Sequence, residues 1–215
     1  MRSNWLWPVS LLVLLLAGLS GFYAIDRYQP LPGVQGVYLS PAVKLKPFEL
    51  RDHHNQPFTP AELRGQWHLL SYGYTHCPDI CPMTLVRLSE LLKRLEQSNR
   101  YPDLQVLFYS VDPQRDKPTQ LAQYVPYFHP DFIGLTQTPE AAGKAQAFEQ
   151  SLGIIGRVDP ETGNVSHGVR LFLLNPEGRL QAVFEPESPL QGIPSFDTEQ
   201  LYRDYLRVRE HVKNT

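Results

Sequence analysis

The apolar positions of this chain fall into three regimes. From Trp5 to Ile25 there is no charged residue, and the run centres on Leu11-Leu12-Val13-Leu14-Leu15-Leu16. From Asp26 to Pro47 the hydrophobic residues lose any period and are interrupted by Pro30, Pro32, Pro41 and Pro47. From Phe48 onward short apolar runs alternate with amphipathic ones. Trp67 to Tyr72 and Leu104 to Val111 read as buried strands, and Phe132 to Leu135 as a shorter one. Leu85, Leu88, Leu92 and Leu95 recur at intervals of three and four, which predicts a long helix with one core-facing stripe. Residues 119–128 predict a second helix, and Thr138-Pro139-Glu140 opens a third that closes near Leu152-Gly153. Val169 to Leu174 and Leu180 to Phe184 pair as a hairpin across Asn175-Pro176-Glu177-Gly178. Phe48-Glu49-Leu50 and Pro57-Phe58 do the same around Asp52-His53-His54-Asn55. Thr59-Pro60-Ala61-Glu62 has capping-box spacing with Pro at the first helical position and predicts a short helix. A final helix runs from about Thr198 to Val212, with Leu201, Tyr205 and Val208 on one face.

This order predicts an α/β fold with a central mixed sheet flanked by helices, behind one N-terminal transmembrane helix. Residues 1–25 read as a membrane anchor, 26–47 as a Pro-containing tether and 48–215 as the folded domain. About twenty apolar residues suffice to span a bilayer. Trp5, Trp7 and Tyr23 stand at the ends of the run, where amphipathic aromatics prefer the interface. The rival is a cleaved signal peptide, for which Gly18-Leu19-Ser20 offers small residues. Either reading exports the domain. The leader is not rich in Arg and Ser, which favours a bacterial inner membrane with the domain in the periplasm over an organelle. A net charge of -2 and a pI near 6.4 leave no electrostatic footprint for nucleic acid.

Cys77 and Cys81 are the two cysteines of the chain, within Tyr74-Thr75-His76-Cys77-Pro78-Asp79-Ile80-Cys81-Pro82. The segment joins a predicted strand to the long helix, and the i, i+4 spacing puts both sulfurs on one helical face. They can close as a disulfide or bind a soft metal ion jointly; the plain alternatives are a structural staple or two buried thiols. A staple commonly joins distant segments, so the chemical readings are preferred. A dithiol at the N-terminus of the helix after the first core strand is the thioredoxin arrangement, where helix-end amides stabilise thiolate. The Cys-x3-Cys spacing separates it from the Cys-x2-Cys of ordinary disulfide exchangers.

These residues carry a resemblance. The cysteine segment is similar to the signature of the SCO/SenC family of copper-binding proteins. The likeness extends to Ser110-Val111-Asp112-Pro113-Gln114-Arg115-Asp116, Phe128-His129-Pro130, Ile133-Gly134-Leu135-Thr136, Val165-Ser166-His167 and Asn175-Pro176-Glu177-Gly178. It covers 48 to 212 in order. It implies a thioredoxin-like fold, membrane anchoring, and delivery of copper to the binuclear copper site in the copper-bearing subunit of cytochrome c oxidase. It also implies that Cys77, Cys81 and His167 hold the metal as copper(I) or copper(II). Two thiolates and an imidazole form a soft set that suits copper(I), and copper(II) with a fourth ligand.

Three classes of function follow. One is a metallochaperone without turnover. The second is a thiol-disulfide oxidoreductase that keeps oxidase-subunit cysteines reduced, working with other copper chaperones or thiol reductants; an imidazole at 167 is superfluous to that chemistry. The third is a peroxidase, which wants Thr or Ser three residues before the reactive cysteine, where Tyr74 stands. Among the remaining candidates, His76 reads either as a residue supporting the ligand Cys77 or as merely exposed, His129 as a helix C-cap, and His53 and His54 as a solvated turn. Met83 is expected to pack along its helix. Asp112 and Asp116 are expected to order the loop after the second strand, and residues 153–164 read as a loop that leaves His167 free to move.

Overall fold

The computed structural model describes residues 11, 12, 14, 15, 31–158, 165–187 and 192–214. Among them the elements run β1 (Gly36–Lys44), β2 (Leu50–Asp52), β3 (Pro57–Phe58), β4 (Trp67–Gly73), α1 (Ile80–Ser98), β5 (Leu104–Ser110), α2 (Pro118–Phe128), β6 (Ile133–Thr136), α3 (Ala142–Leu152), β7 (Gly156–Val158), β8 (Val165–His167), β9 (Leu171–Leu174), β10 (Arg179–Phe184) and α4 (Thr198–Lys213). A 3-10 turn, Pro139–Ala141, precedes α3.

Eight strands form one mixed sheet in the order β1-β10-β9-β4-β5-β6-β2-β3. β4, β5 and β6 are parallel, and the flanking pairs are antiparallel. All seven residues of β4 are buried, so both faces of the sheet centre are covered. Neighbouring residues of a strand point to opposite faces. Phe108 of β5 meets Tyr124 of α2 at 5.6 Å between ring centroids, while Tyr109 meets Phe148 of α3 at 5.2 Å. The two helices therefore lie on opposite faces of the sheet.

α1 buries Cys81, Thr84, Leu85, Leu88, Leu91 and Leu95, so Leu91 rather than the expected Leu92 continues the stripe inward. α4 packs along α1, with Leu201, Tyr205 and Val208 buried as predicted. There the Arg94 guanidinium lies 5.0 Å from the Tyr202 ring and 3.1 Å from Glu199.

Three expectations are corrected. Residues 36–44, assigned to the tether, form β1 and pair with β10. The prolines misled because β1 is an edge strand whose register shifts between Tyr38 and Val43, the kind of place that tolerates Pro41. At Thr59 the capping box forms, with Glu62 Oε2 accepting from the Thr59 amide at 2.6 Å and its hydroxyl at 2.7 Å. The helix does not continue, because Arg64 bridges to Glu177 and the Gly65 amide donates to the Pro176 carbonyl at 2.9 Å. Within the segment read as a free loop, Gly156–Val158 pairs with Val165–His167. Of the expected anchor only Leu11, Leu12, Leu14 and Leu15 are described, as exposed helical residues; the rest lies outside the described residues. Among the described residues no helix is long and apolar enough to cross a membrane.

Candidate functional site

β4 ends at Gly73 and feeds the chain into residues 74–79, after which α1 begins at Ile80. Asp79 occupies the N-cap position but makes no side-chain cap bond. The Cys81 amide, one of the donors a helix start leaves without an internal partner, donates instead to Cys77 Sγ at 3.4 Å. Sulfur thus takes the place of a capping oxygen, and Pro82 costs nothing in a first turn that needs no amide there.

The two cysteines are not joined as a disulfide, Cys81 being buried at 2% exposure and Cys77 half-buried. The Cys81 thiol is pushed well above its ordinary range, first by its hydrogen bond with Cys77 and then by burial. It keeps its proton in the metal-free state. Gly73 makes room for it, since a Cβ there would stand 2.4 Å from Cys81 Sγ. The strand before the loop and the thiol within the helix are fitted to each other at that point.

A buried carboxylate fixes the loop. Asp116 accepts from the Thr75 amide at 2.9 Å, from the Thr75 hydroxyl at 2.6 Å and from the Ser110 hydroxyl at 2.6 Å. Ser110 in turn accepts from the Asp112 amide at 3.1 Å. Asp112 is paired with Arg115, whose guanidinium lies 5.9 Å from the Tyr74 ring. The expected ordering role of the two aspartates is therefore present, and Asp116 extends it to the cysteine loop itself. The sequence did not signal that reach, because Thr75 and Asp116 are partners only once β4 and β5 lie side by side.

His167 ends β8, and its backbone pairs with Gly156 of β7. Gly156 lies against Val111, where a Cβ would come within 2.8 Å of the Val111 side chain. The Val111 amide donates to the Gly73 carbonyl at 2.9 Å. These links bring the backbone of His167 to the dithiol end of the sheet; its imidazole lies outside the described residues. Gly168 and Ile80 line a common cleft of about 580 Å³ with Tyr72, Ile155, Val169 and Arg170. Among the described residues no three His, Cys, Asp or Glu side chains are grouped to hold a metal. Cys77 and Cys81 are together; the third predicted ligand is known here by its backbone.

Of the other candidates, His76 stays beside the cysteine loop, with Nδ1 3.9 Å from Asp116. His76 is 55% exposed, with Nδ1 at 3.1 Å from the Thr75 hydroxyl. His129 is the C-cap residue of α2 and accepts from the Asp131 amide at 3.3 Å. His53 is buried rather than solvated, its Nδ1 taking the Gly134 amide at 3.1 Å. Met83 is exposed, because the first turn of α1 turns that side outward. Tyr124, which sequence reasoning passed over, reaches the site from α2 with its hydroxyl buried and without a hydrogen-bond partner among the described residues.

A mixed sheet covered on both faces, with a dithiol at the N-terminus of the helix that follows a central parallel strand, defines a thioredoxin-like dithiol protein. Within that class the chain belongs to the SCO1/SenC family, whose model matches residues 38–195. A Stutzerimonas stutzeri protein named for copper binding is 36% identical over 187 residues, covering 86% of this chain and 90% of the relative. A mitochondrial SCO2 homologue of Mus musculus is 40% identical over 132 residues, 61% of this chain and 52% of the relative. The chain thus aligns with about half the length of that mitochondrial protein. The crystal structure of Arabidopsis thaliana ScoI with copper bound superposes with a TM-score of 0.65 at 30% identity, covering 77% of this chain and 98% of that one.

Proposed function

We propose that this protein is a membrane-anchored copper metallochaperone that carries copper on Cys77, Cys81 and His167 and supplies it to the binuclear copper site of cytochrome c oxidase. The observation that carries the reading is the placement of two cysteines, not joined as a disulfide, at one helix N-terminus, where the Cys81 amide donates to Cys77 Sγ and the Cys81 side chain is buried. That donor pair is soft, preassembled and partly desolvated, which suits copper(I) better than hard divalent cations. The family assignment and the copper-bound relative support copper as the cargo. The charge-free run 5–25 supports anchoring in a bacterial inner membrane with the domain in the periplasm. The first steps belong to this chain's own groups. Cys77 and Cys81 give up their protons as the metal arrives, the helix-start amide of Cys81 steadies the charge on Cys77 Sγ, and Asp116 holds the loop through Thr75.

The detergent-solubilised protein, titrated anaerobically, is expected to bind one copper(I) when its dithiol is reduced and none when it is oxidised, because a disulfide consumes both soft donors. Equal uptake in the two states would remove the reading. His167→Ala is expected to weaken copper(II) more than copper(I), since two thiolates alone can hold copper(I) linearly.

The reduced state of the dithiol also favours a second reading, a reductant for oxidase-subunit cysteines. A variant with His167→Ala that still reduces a disulfide-bonded acceptor at the parental rate would favour it.

A further inference from the structure

The buried tyrosines Tyr109 and Tyr205 have partners for their hydroxyls. Tyr109 donates to Glu149 at 2.7 Å, and the Tyr205 hydroxyl accepts from Arg209. Tyr124 differs: its hydroxyl is buried and has no hydrogen-bond partner among the described residues. Leaving a buried hydroxyl unpaired costs about 1–3 kcal/mol, so a phenylalanine would serve packing better.

The surroundings of Tyr124 give the hydroxyl a use. Its ring lies 5.6 Å from that of Phe108 in a tilted arrangement, and a Cβ at Gly73 would meet both Cys81 Sγ, at 2.4 Å, and Phe108, at 3.4 Å. The phenol is held above its ordinary range by burial first, and then by the neighbouring charges of Cys81, Cys77 and Asp116. All three groups are within electrostatic reach of the oxygen. In the metal-free protein no strong acceptor faces it, because Asp116 is occupied by Thr75 and Ser110, and Cys81 is engaged with Cys77. Metal entry changes that. Copper(I) takes two thiolates, two protons leave to water, the metal stays in its +1 state, and each sulfur becomes a charged acceptor.

We infer that Tyr124 is a positioning residue whose hydroxyl donates a hydrogen bond to a thiolate sulfur of the metal-loaded dithiol and stays unpartnered until the metal arrives. Tyr124 keeps its own proton throughout. The hydroxyl thus weakens the empty fold slightly and favours the loaded one. This rests on the proposed copper chemistry for its physiological metal, but any thiophilic cation generates the same acceptor.

The test is Tyr124→Phe in the full-length protein, which removes one oxygen and retains the ring against Phe108. The metal-free variant is expected to melt at the same temperature or higher. Its copper(I) affinity, in competition with a chromophoric chelator, is expected to fall roughly tenfold, the worth of one hydrogen bond to a charged group. The thiolate-to-metal charge-transfer band is expected to move to lower energy with copper(II) and with cadmium(II), because a sulfur relieved of its hydrogen bond gives up electron density more easily. Incorporating 3-fluorotyrosine at 124, a stronger donor, should move the bands the other way. Unchanged affinity and unchanged bands overturn the inference. So does a lower melting temperature with unchanged bands, which would make the hydroxyl structural. If neither protein binds copper yet the cadmium band shifts, the copper reading fails and the role of Tyr124 stands.

Discussion

His68 sits in the middle of β4 at 1% exposure, with Nδ1 unpartnered among the described residues and Nε2 3.4 Å from the Gln66 side chain. Burial pushes its pKa from 6.5 down to about 4. As pH falls below 6.5 the unfolded chain takes up a proton at this residue while the folded one does not. Stability from this group is therefore complete above 6.5 and is lost as pH falls towards 4, by about 3 kcal/mol at most. Urea midpoints measured from pH 7 to pH 4.5 are expected to decline less steeply for His68→Leu than for the parent protein. Parallel profiles would show that the imidazole titrates alike in both states. The apolar run around Trp67-His68-Leu69 announces the burial but not the missing partner of the imidazole, which depends on the strands that place Leu174 and Gln105 opposite it.

The element that carries His167, the proposed third ligand, is the β7–β8 hairpin. It stands apart from the main sheet as a two-stranded ribbon, and Gly156 is its point of contact with Val111. Gly156→Val sets a branched side chain against Val111 and is expected to displace the ribbon while leaving the eight-stranded sheet intact. Copper(II) affinity should drop by about tenfold, or about 1.4 kcal/mol, with copper(I) affected less and the far-ultraviolet circular dichroism unchanged. A parental copper(II) affinity would mean that His167 holds no metal or that the ribbon adapts. α1 and α4 were legible because their stripes follow helical spacing, and β4 and β5 because their apolar runs are continuous. The β9–β10 hairpin was legible from Asn175-Pro176-Glu177-Gly178, whose Asn175 side chain accepts from the Glu177 and Arg179 amides. β1, β7 and β8 were not, since the edge strand β1 takes its pairing from the distant β10 and the three-residue strands β7 and β8 are too short to show a period of their own. The dithiol was readable as a pair on one helix face. The Asp116 clamp and the Tyr124 hydroxyl were not, because they come from the loop after β5 and from α2, which meet the dithiol segment only after the sheet has formed.

At the scale of the molecule, the antiparallel order of β1, β10, β9 and β4 fixes where the chain enters. Gly36 is opposite Phe184, Phe184 opposite Leu171, and Leu171 belongs with the end of β4 that carries the cysteines. Leu31 and Val34 already pack on the core, and Arg207 holds the Gly33 carbonyl. With residues 5–25 in a bilayer as proposed, a fluorescent amino acid at Met83, beside the dithiol, is expected to be quenched by lipid-borne quenchers more than one at Glu177, in the turn at the far end of the sheet. Stronger quenching at Glu177 would reverse the orientation.

The stretch between Ile25 and Leu31 has a contour length of at most roughly 20 Å. So short a leash leaves the domain little room to wander. With residues 5–25 in the bilayer as proposed, a copper cargo would stay within a thin layer above the lipid, where a bilayer-embedded acceptor would meet it at about millimolar effective concentration however few copies the cell makes. Transfer can then proceed through an interface too weak to persist, and the emptied carrier leaves as readily as it came.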